Sequence, residues 1–288
     1  MSRQSGRFFV FLFLTIALVP PAHSEPGTGE ALGPPKRKAP TIKVRHRDDL
    51  VDGWSVAESA HVRVYHQGSR DRAEKAALTA EDAWSGATRK WLAESPDDEV
   101  YCAVYLYPTA TAYAEATGLP AATPGVTTVR GEEGHVFSRR IDLNGEAPNL
   151  LTAVLPHEVT HAVLAGQLGS MPVPPWANEG IAVLAEPRPF VERHLRDLPG
   201  FRRDGRLFAA ADLMKLKEYP ARRLMGPFYA QSVSLVEFLT REKGAQTFTS
   251  FLREAARTGW EAALKKKYGW DFDDLDRRWR QSVFANGE

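Results

Sequence analysis

The chain has 288 residues, enough for one large domain or two modest ones around a buried core. Its 43% hydrophobic and 25% charged residues are ordinary for a globular protein, and a formal net charge of +1 gives no basis for expecting a nucleic acid or another polyanion as partner. A single cysteine, Cys102, excludes any disulfide within the chain.

At the N-terminus, Arg3 and Arg7 precede the apolar run from Phe8 to Val19, which Pro20 and Pro21 break. Ala22-His23-Ser24 then supplies small residues where a signal peptidase needs them. This pattern predicts a cleavable signal peptide over residues 1–24 and an exported protein, periplasmic or extracellular, with an uncleaved anchor as the alternative. The run is shorter than the roughly 20 residues of a membrane span, so no stable insertion is expected after cleavage. Residues 25–50, with Gly33-Pro34-Pro35-Lys36-Arg37-Lys38, lack apolar periodicity and read as a flexible linker.

Order is expected from near Trp54. His61 to His66 alternates and predicts a half-buried strand. From Arg70 to Glu94 the apolar residues Ala73, Ala76, Ala77, Ala80, Trp84, Ala87 and Trp91 keep helical spacing, and the helix must stop before Pro96. Val100 to Tyr107 is a second strand that carries Cys102 as core material, and a short helix follows over 109–117. Two strands, Val126 to Arg130 and His135 to Leu143, are joined by Gly131-Glu132-Glu133-Gly134. Together these elements predict a small α+β subdomain over 51–148 with a β-α-β opening and a mixed sheet.

From 149 to 288 the pattern is helical. Helices are expected over 150–168, 176–186, 209–217, 227–242, 245–257, 260–267 and 272–285, with an arginine-rich linker from Arg188 to Arg206. The last helix has Asp271 as its cap and Phe272, Leu275, Trp279 and Val283 as its apolar stripe. The fold class read from the whole is α+β: an N-terminal sheet unit followed by a mostly helical metal-binding part.

Chemistry concentrates in His157-Glu158-Val159-Thr160-His161. Two histidines four apart on a helix lie about 40° apart around its axis and one turn along it, so both imidazoles reach one ion. Glu158 falls on the flank of that site, where its carboxylate can take a proton from a water on the metal without being a ligand. A third ligand comes most simply from Glu179 in Trp176-Ala177-Asn178-Glu179-Gly180. The Gly- and Pro-rich segment 169–175 turns the chain back so that the second helix packs on the first. Two histidines, one glutamate and an open fourth position suit one hydrolytic Zn2+ per chain. The surrounding residues Leu151, Val154, Leu155, Val159, Val163 and Leu164 are apolar, a setting in which unpaired histidines would be costly.

The run Leu155 to Val163 followed by Trp176 to Gly180 resembles the gluzincin metallopeptidases, and within them the bacterial "peptidase MA-like" domain. The resemblance extends to Phe228 to Leu239, Lys266-Lys267-Tyr268-Gly269 and Leu275 to Trp279. It implies zinc on His157, His161 and Glu179, with Glu158 as general base. The strand before the motif helix, about His135 to Leu143, would then be the lip on which an extended peptide or protein substrate lies. It also implies a tyrosine or histidine from a later helix that steadies the oxyanion, and Tyr229 fits by position as a second catalytic residue beside Glu158. His135 would sit near the cleft rim, while His61, His66 and His194 read as surface or scaffold positions.

Two features depart from that pattern. Pro156 cannot sit well inside a regular helix, so the motif helix starts near Thr152 or Ala153, or kinks there. Where many gluzincins place a carboxylate one turn beyond the ligand glutamate, this chain has Val183, so a partner for the zinc histidines must come from elsewhere. Three functions remain open on the residues alone: an active exported metallopeptidase, a zinc-stabilised binding or scaffold protein without turnover, and a zinc hydrolase of non-peptide amides.

Overall fold

A computed structural model describes residues 8–14, 42–48, 50–92, 100–132, 135–165, 167 and 173–285. Its first half forms one mixed sheet of seven strands: β1 (Phe8–Leu14), β2 (Arg45–Arg47), β3 (Ser55–Glu58), β4 (Val62–His66), β5 (Cys102–Tyr107), β6 (Gly125–Glu132) and β7 (His135–Asn144), in the order β1-β6-β7-β5-β4-β3-β2. Helices α1 (Arg70–Trp91) and α2 (Ala110–Thr117) connect them. β4, α1 and β5 make the expected β-α-β unit, with β4 parallel to β5 and β5 parallel to β7, while the other pairs are antiparallel. The fold is α+β, as read from the pattern.

Helix α1 forms because its small residues keep one face. Ala73, Ala76, Ala77 and Ala80 are wholly buried and let the helix lie close on the sheet, while Ser69 caps it by accepting from the Arg72 amide. Trp84 and Trp91 extend that face into the core.

Two expectations change on the N-terminal side. The linker read over 25–50 ends early, because Arg45–Arg47 pairs with β3 as an edge strand and His46, opposite Ala57, sits 3.4 Å from Glu74. Of the segment read as a signal peptide, only Phe8–Leu14 lies within the described residues, where it pairs with β6. The second change concerns the expected lip. Strand β7 lies inside the sheet, because β5, arriving in parallel from the β-α-β unit, takes the edge opposite β6. The strand that touches the motif glutamate is β6, through Thr127.

The second half is helical. Leu150–Val154 makes one π-helical turn that runs into α3 (Leu155–Leu164), followed by α4 (Pro175–Val183), α5 (Arg188–Arg196), α6 (Leu198–Arg203), α7 (Ala210–Lys215), α8 (Met225–Lys243), α9 (Ala245–Thr258), α10 (Trp260–Tyr268) and α11 (Phe272–Phe284). The π turn resolves the Pro156 problem. The widened turn before the proline gives its ring room at the junction where the hydrogen-bond ladder changes period. The stretch read as a linker is two short helices, α5 and α6, each opened by a proline in its first turn. Asp271 caps α11 by accepting from the Asp274 amide at 2.8 Å.

One hydrophobic core runs through both halves, from Val62, Val64 and the α1 alanines through Leu155, Val159 and Trp176 to Phe248, Leu275 and Trp279. Fully burying a Val or Leu side chain contributes about 1.5–3 kcal/mol, so α3 is held chiefly by its apolar face against α1. Among the described residues no helix is long and apolar enough to cross a membrane.

Candidate metal centre

Helix α3 buries its apolar face toward α1 and its polar residues elsewhere, with His157 and His161 toward α4 and Glu158 toward β6. His157 and His161 sit one turn apart with ring centroids separated by 4.8 Å. Glu179 on α4 meets them, its Oε2 3.5 Å from His157 Nε2 and its Oε1 3.7 Å from His161 Nε2. The three donor atoms lie within 4.8 Å of one another, so this group could hold a metal ion. All three side chains are at most 2% exposed.

The helices reach this closeness through local sequence. Gly180 follows the ligand glutamate, and a Cβ there would stand 2.6 Å from the Ser232 carbonyl oxygen, so only glycine lets α4 lie against α8. Trp176 anchors the same helix, edge-on to both Phe248 and Trp260. On the sheet side, Arg139 reaches across from β7, donating from Nε to the Ala162 carbonyl in the last turn of α3.

Two features suit the group to holding an ion. His157 Nε2 and Glu179 Oε2 are buried without a hydrogen-bond partner although they face each other. An unsatisfied buried polar atom costs about 1–3 kcal/mol, a penalty that an ion between them removes. His157 is also oriented from behind: its Nδ1 lies 2.9 Å from Glu186 Oε1. In the neutral ring, donation of the Nδ1 hydrogen to that carboxylate leaves the Nε2 lone pair pointing inward. Glu186 is thus the partner that Val183 fails to provide, three residues further on, where the chain beyond α4 turns back over His157.

The electrostatics follow from burial and two carboxylates. Burial would lower His157, but Glu179 and Glu186 outweigh it and hold the ring up at about 10. Burial dominates at His161 and pushes it down to about 4, despite the pull of Glu179. Burial would raise Glu179, yet the two histidines and Tyr219 keep its carboxyl below the usual range.

Glu158 is wholly buried beside the ligand group. Thr127 Oγ1 on β6 lies 2.5 Å from its Oε2 and fixes the carboxylate's orientation. Gly125, at the start of β6, leaves room for it, since a Cβ there would stand 3.3 Å from Glu158 Cγ.

The remaining expected residues fall in different places. Tyr229 is buried at the start of α8, its ring stacked on His194 at 5.9 Å. The phenol that contacts the ligand group is Tyr219, in the loop between α7 and α8, whose hydroxyl donates to Glu179 Oε1 at 2.5 Å. Nothing in the pattern around Tyr219-Pro220 marks it. His194, read as scaffold, sits close enough to Glu186 and His157 to feel both, and burial lowers it. His135 is exposed at the outer end of the β6–β7 hairpin, paired with Glu132. Cys102 is wholly buried, and burial pushes its thiol up to about 12, which removes it as a nucleophile. No protein-family model and no curated protein matches the chain.

Proposed function

We propose that the protein is an exported zinc metallopeptidase of the gluzincin kind, with His157, His161 and Glu179 as ligands and Glu158 as general base. The observation that carries this reading is the pairing of a three-donor group, in which His157 Nε2 and Glu179 Oε2 face inward without a hydrogen-bond partner, with a separately held carboxylate one residue from the first ligand. A purely structural metal site has no use for that carboxylate.

Two histidines and one carboxylate fit a divalent ion of zinc's preference. When bound, zinc supplies Lewis-acid polarisation of the scissile carbonyl and lowers the pKa of the attacking water. Glu158 receives the proton of that water and passes it to the leaving amine. Thr127 holds Glu158 through Oε2, so the carboxylate does not swing away during the transfer. Glu186 keeps His157 in the ligating tautomer and supports its positive polarisation. Tyr219 donates its hydroxyl hydrogen to Glu179 and holds that ligand in place, while Tyr229 is the phenol assigned to steady the developing oxyanion.

One observation favours a second reading, a zinc-stabilised protein without turnover: none of the donors, nor Glu158, is measurably open to solvent. The deciding experiment is metal analysis of the purified protein and its Glu158→Gln variant, with peptide-library digestion with and without a chelator. The peptidase reading expects near-stoichiometric zinc in both proteins and chelator-sensitive cleavage by the native chain alone. Zinc without cleavage by either would establish the second.

A further inference from the structure

The segment that closes over the metal centre is more basic than the chain as a whole. From Arg188 to Arg223 there are ten Lys and Arg against five Asp and Glu, while the whole chain carries 37 against 36. The near-neutral total therefore conceals a basic stretch beside the metal centre. Within it Arg188 is held by carboxylates, those of Glu192 at 3.1 Å and Glu237 at 2.6 Å. Arg193, Arg196, Lys217, Arg222 and Arg223 are exposed and make no ion pair among the described residues.

These cations stand beside the two side chains that reach inward. Lys217 and Arg222 bracket Tyr219, whose hydroxyl is on Glu179. Arg193 and Arg196 flank His194, which stacks on Tyr229 and lies near Glu186 and His157. Arg206 donates to the Arg223 carbonyl and ties the chain just after α6 to the turn before α8, while His194 and Tyr219 pack on the adjacent rings of Tyr229 and Phe228, so the two cationic stretches lie at the same end of α8.

We propose that these cations recruit an acidic peptide segment to the metal centre. The inference rests on the peptidase reading for what happens next, but docking itself does not require turnover. Exposed guanidinium and ammonium groups without partners keep their field for an incoming carboxylate, steer its approach and select against cationic chains. Arginine in particular offers paired donors to a carboxylate. Glu192, Asp197 and Glu218 are interspersed among the cations, which suits spaced carboxylates better than the continuous charge of a polynucleotide.

The test uses the full chain carrying Glu158→Gln, loaded with zinc, and fluorescently labelled twelve-residue peptides. One has four Glu among Ala and Gly, a second has Gln in their place, and a third has Lys. Anisotropy is expected to show the Glu peptide binding at least tenfold more tightly than the Gln peptide at low salt. That gap should close in about 1 M salt, where charges more than about 3 Å apart are screened. The Arg222→Glu/Arg223→Glu double variant, and Lys217→Glu as an independent single change, should lose most of the preference while keeping the native circular dichroism and zinc content. Equal binding of the Glu and Gln peptides, or a preference untouched by the folded variants, overturns the proposal. So does tighter binding of a single-stranded oligonucleotide of equal charge. Acidic-peptide binding in the absence of any cleavage by the native chain upholds the docking surface and rejects the peptidase reading instead.

Discussion

Two clusters among the described residues set histidine against a buried glutamate, and they differ in what they leave undone. Beside α1, Glu81 is answered at both oxygens: Ser59 Oγ donates to Oε1 at 2.7 Å, the His61 amide donates to the same oxygen at 2.6 Å, and His61 Nδ1 meets Oε2 at 2.8 Å. The His61 ring is half-exposed and lies flat on Trp84. That network is complete and ties the β3–β4 turn to α1. Between α3 and α4 the same residue types leave His157 Nε2 and Glu179 Oε2 without partners at almost no exposure. A satisfied cluster stabilises a fold by itself, whereas an unsatisfied one persists when something else completes it.

The comparison breaks most sharply if the two clusters respond alike to metal. Zinc at about 100 times its Kd should raise the unfolding free energy of the native chain by about 2.7 kcal/mol, and His157→Ala should abolish that response. Thermal scans with and without zinc measure it, and a response surviving in His157→Ala would place the ion elsewhere. On the peptidase proposal, Glu158→Gln should lower kcat by about 10²–10⁴ while zinc content stays near one per chain, because that proposal gives the carboxylate a proton transfer and no place among the ligands. Glu186→Ala should weaken zinc by about 10–100-fold in a competition with a chromophoric chelator, through loss of the hydrogen bond that orients His157.

Smaller effects belong to the satisfied cluster. Glu81→Gln should cost about 1–3 kcal/mol in denaturant unfolding and leave zinc affinity unchanged. Its pH dependence has a definite sign. The hydrogen bond to Glu81 holds His61 above its ordinary 6.5, so that contribution is full below 6.5 and fades as pH rises through the raised value. Burial would raise Glu81, but His61 and Ser59 together hold it below 4.5, so its contribution is present above 4.5 and fades as pH falls. The difference in melting temperature between the native chain and Glu81→Gln should therefore be widest between pH 4.5 and 6.5. A difference that grew above pH 7 would contradict the His61–Glu81 link.

Much of the architecture was legible because it depends on short-range regularities. The α1 alanines and tryptophans, the α11 stripe with its Asp271 cap, and the strands around Cys102 and Val126 all follow from spacing along the chain, and the structure places them so. The α5 and α6 helices were misread as linker because each spans only about two turns and carries few buried side chains. Strand β2 was missed because three residues cannot display an alternation, and its pairing with β3 is what makes it a strand.

For the site, the local pattern determined that His157 and His161 share a helix face and that Glu158 flanks it, because helix geometry alone sets those relations. It also singled out Glu179 as the donor that could join them. Tertiary structure decided the rest. It put Glu186 rather than residue 183 behind His157, Tyr219 on the glutamate that joins them, and Thr127 of β6 on Glu158. These partners lie up to 40 positions away and share no period with the motif, so only the packing of α4, α8 and the sheet around α3 brings them within hydrogen-bond distance.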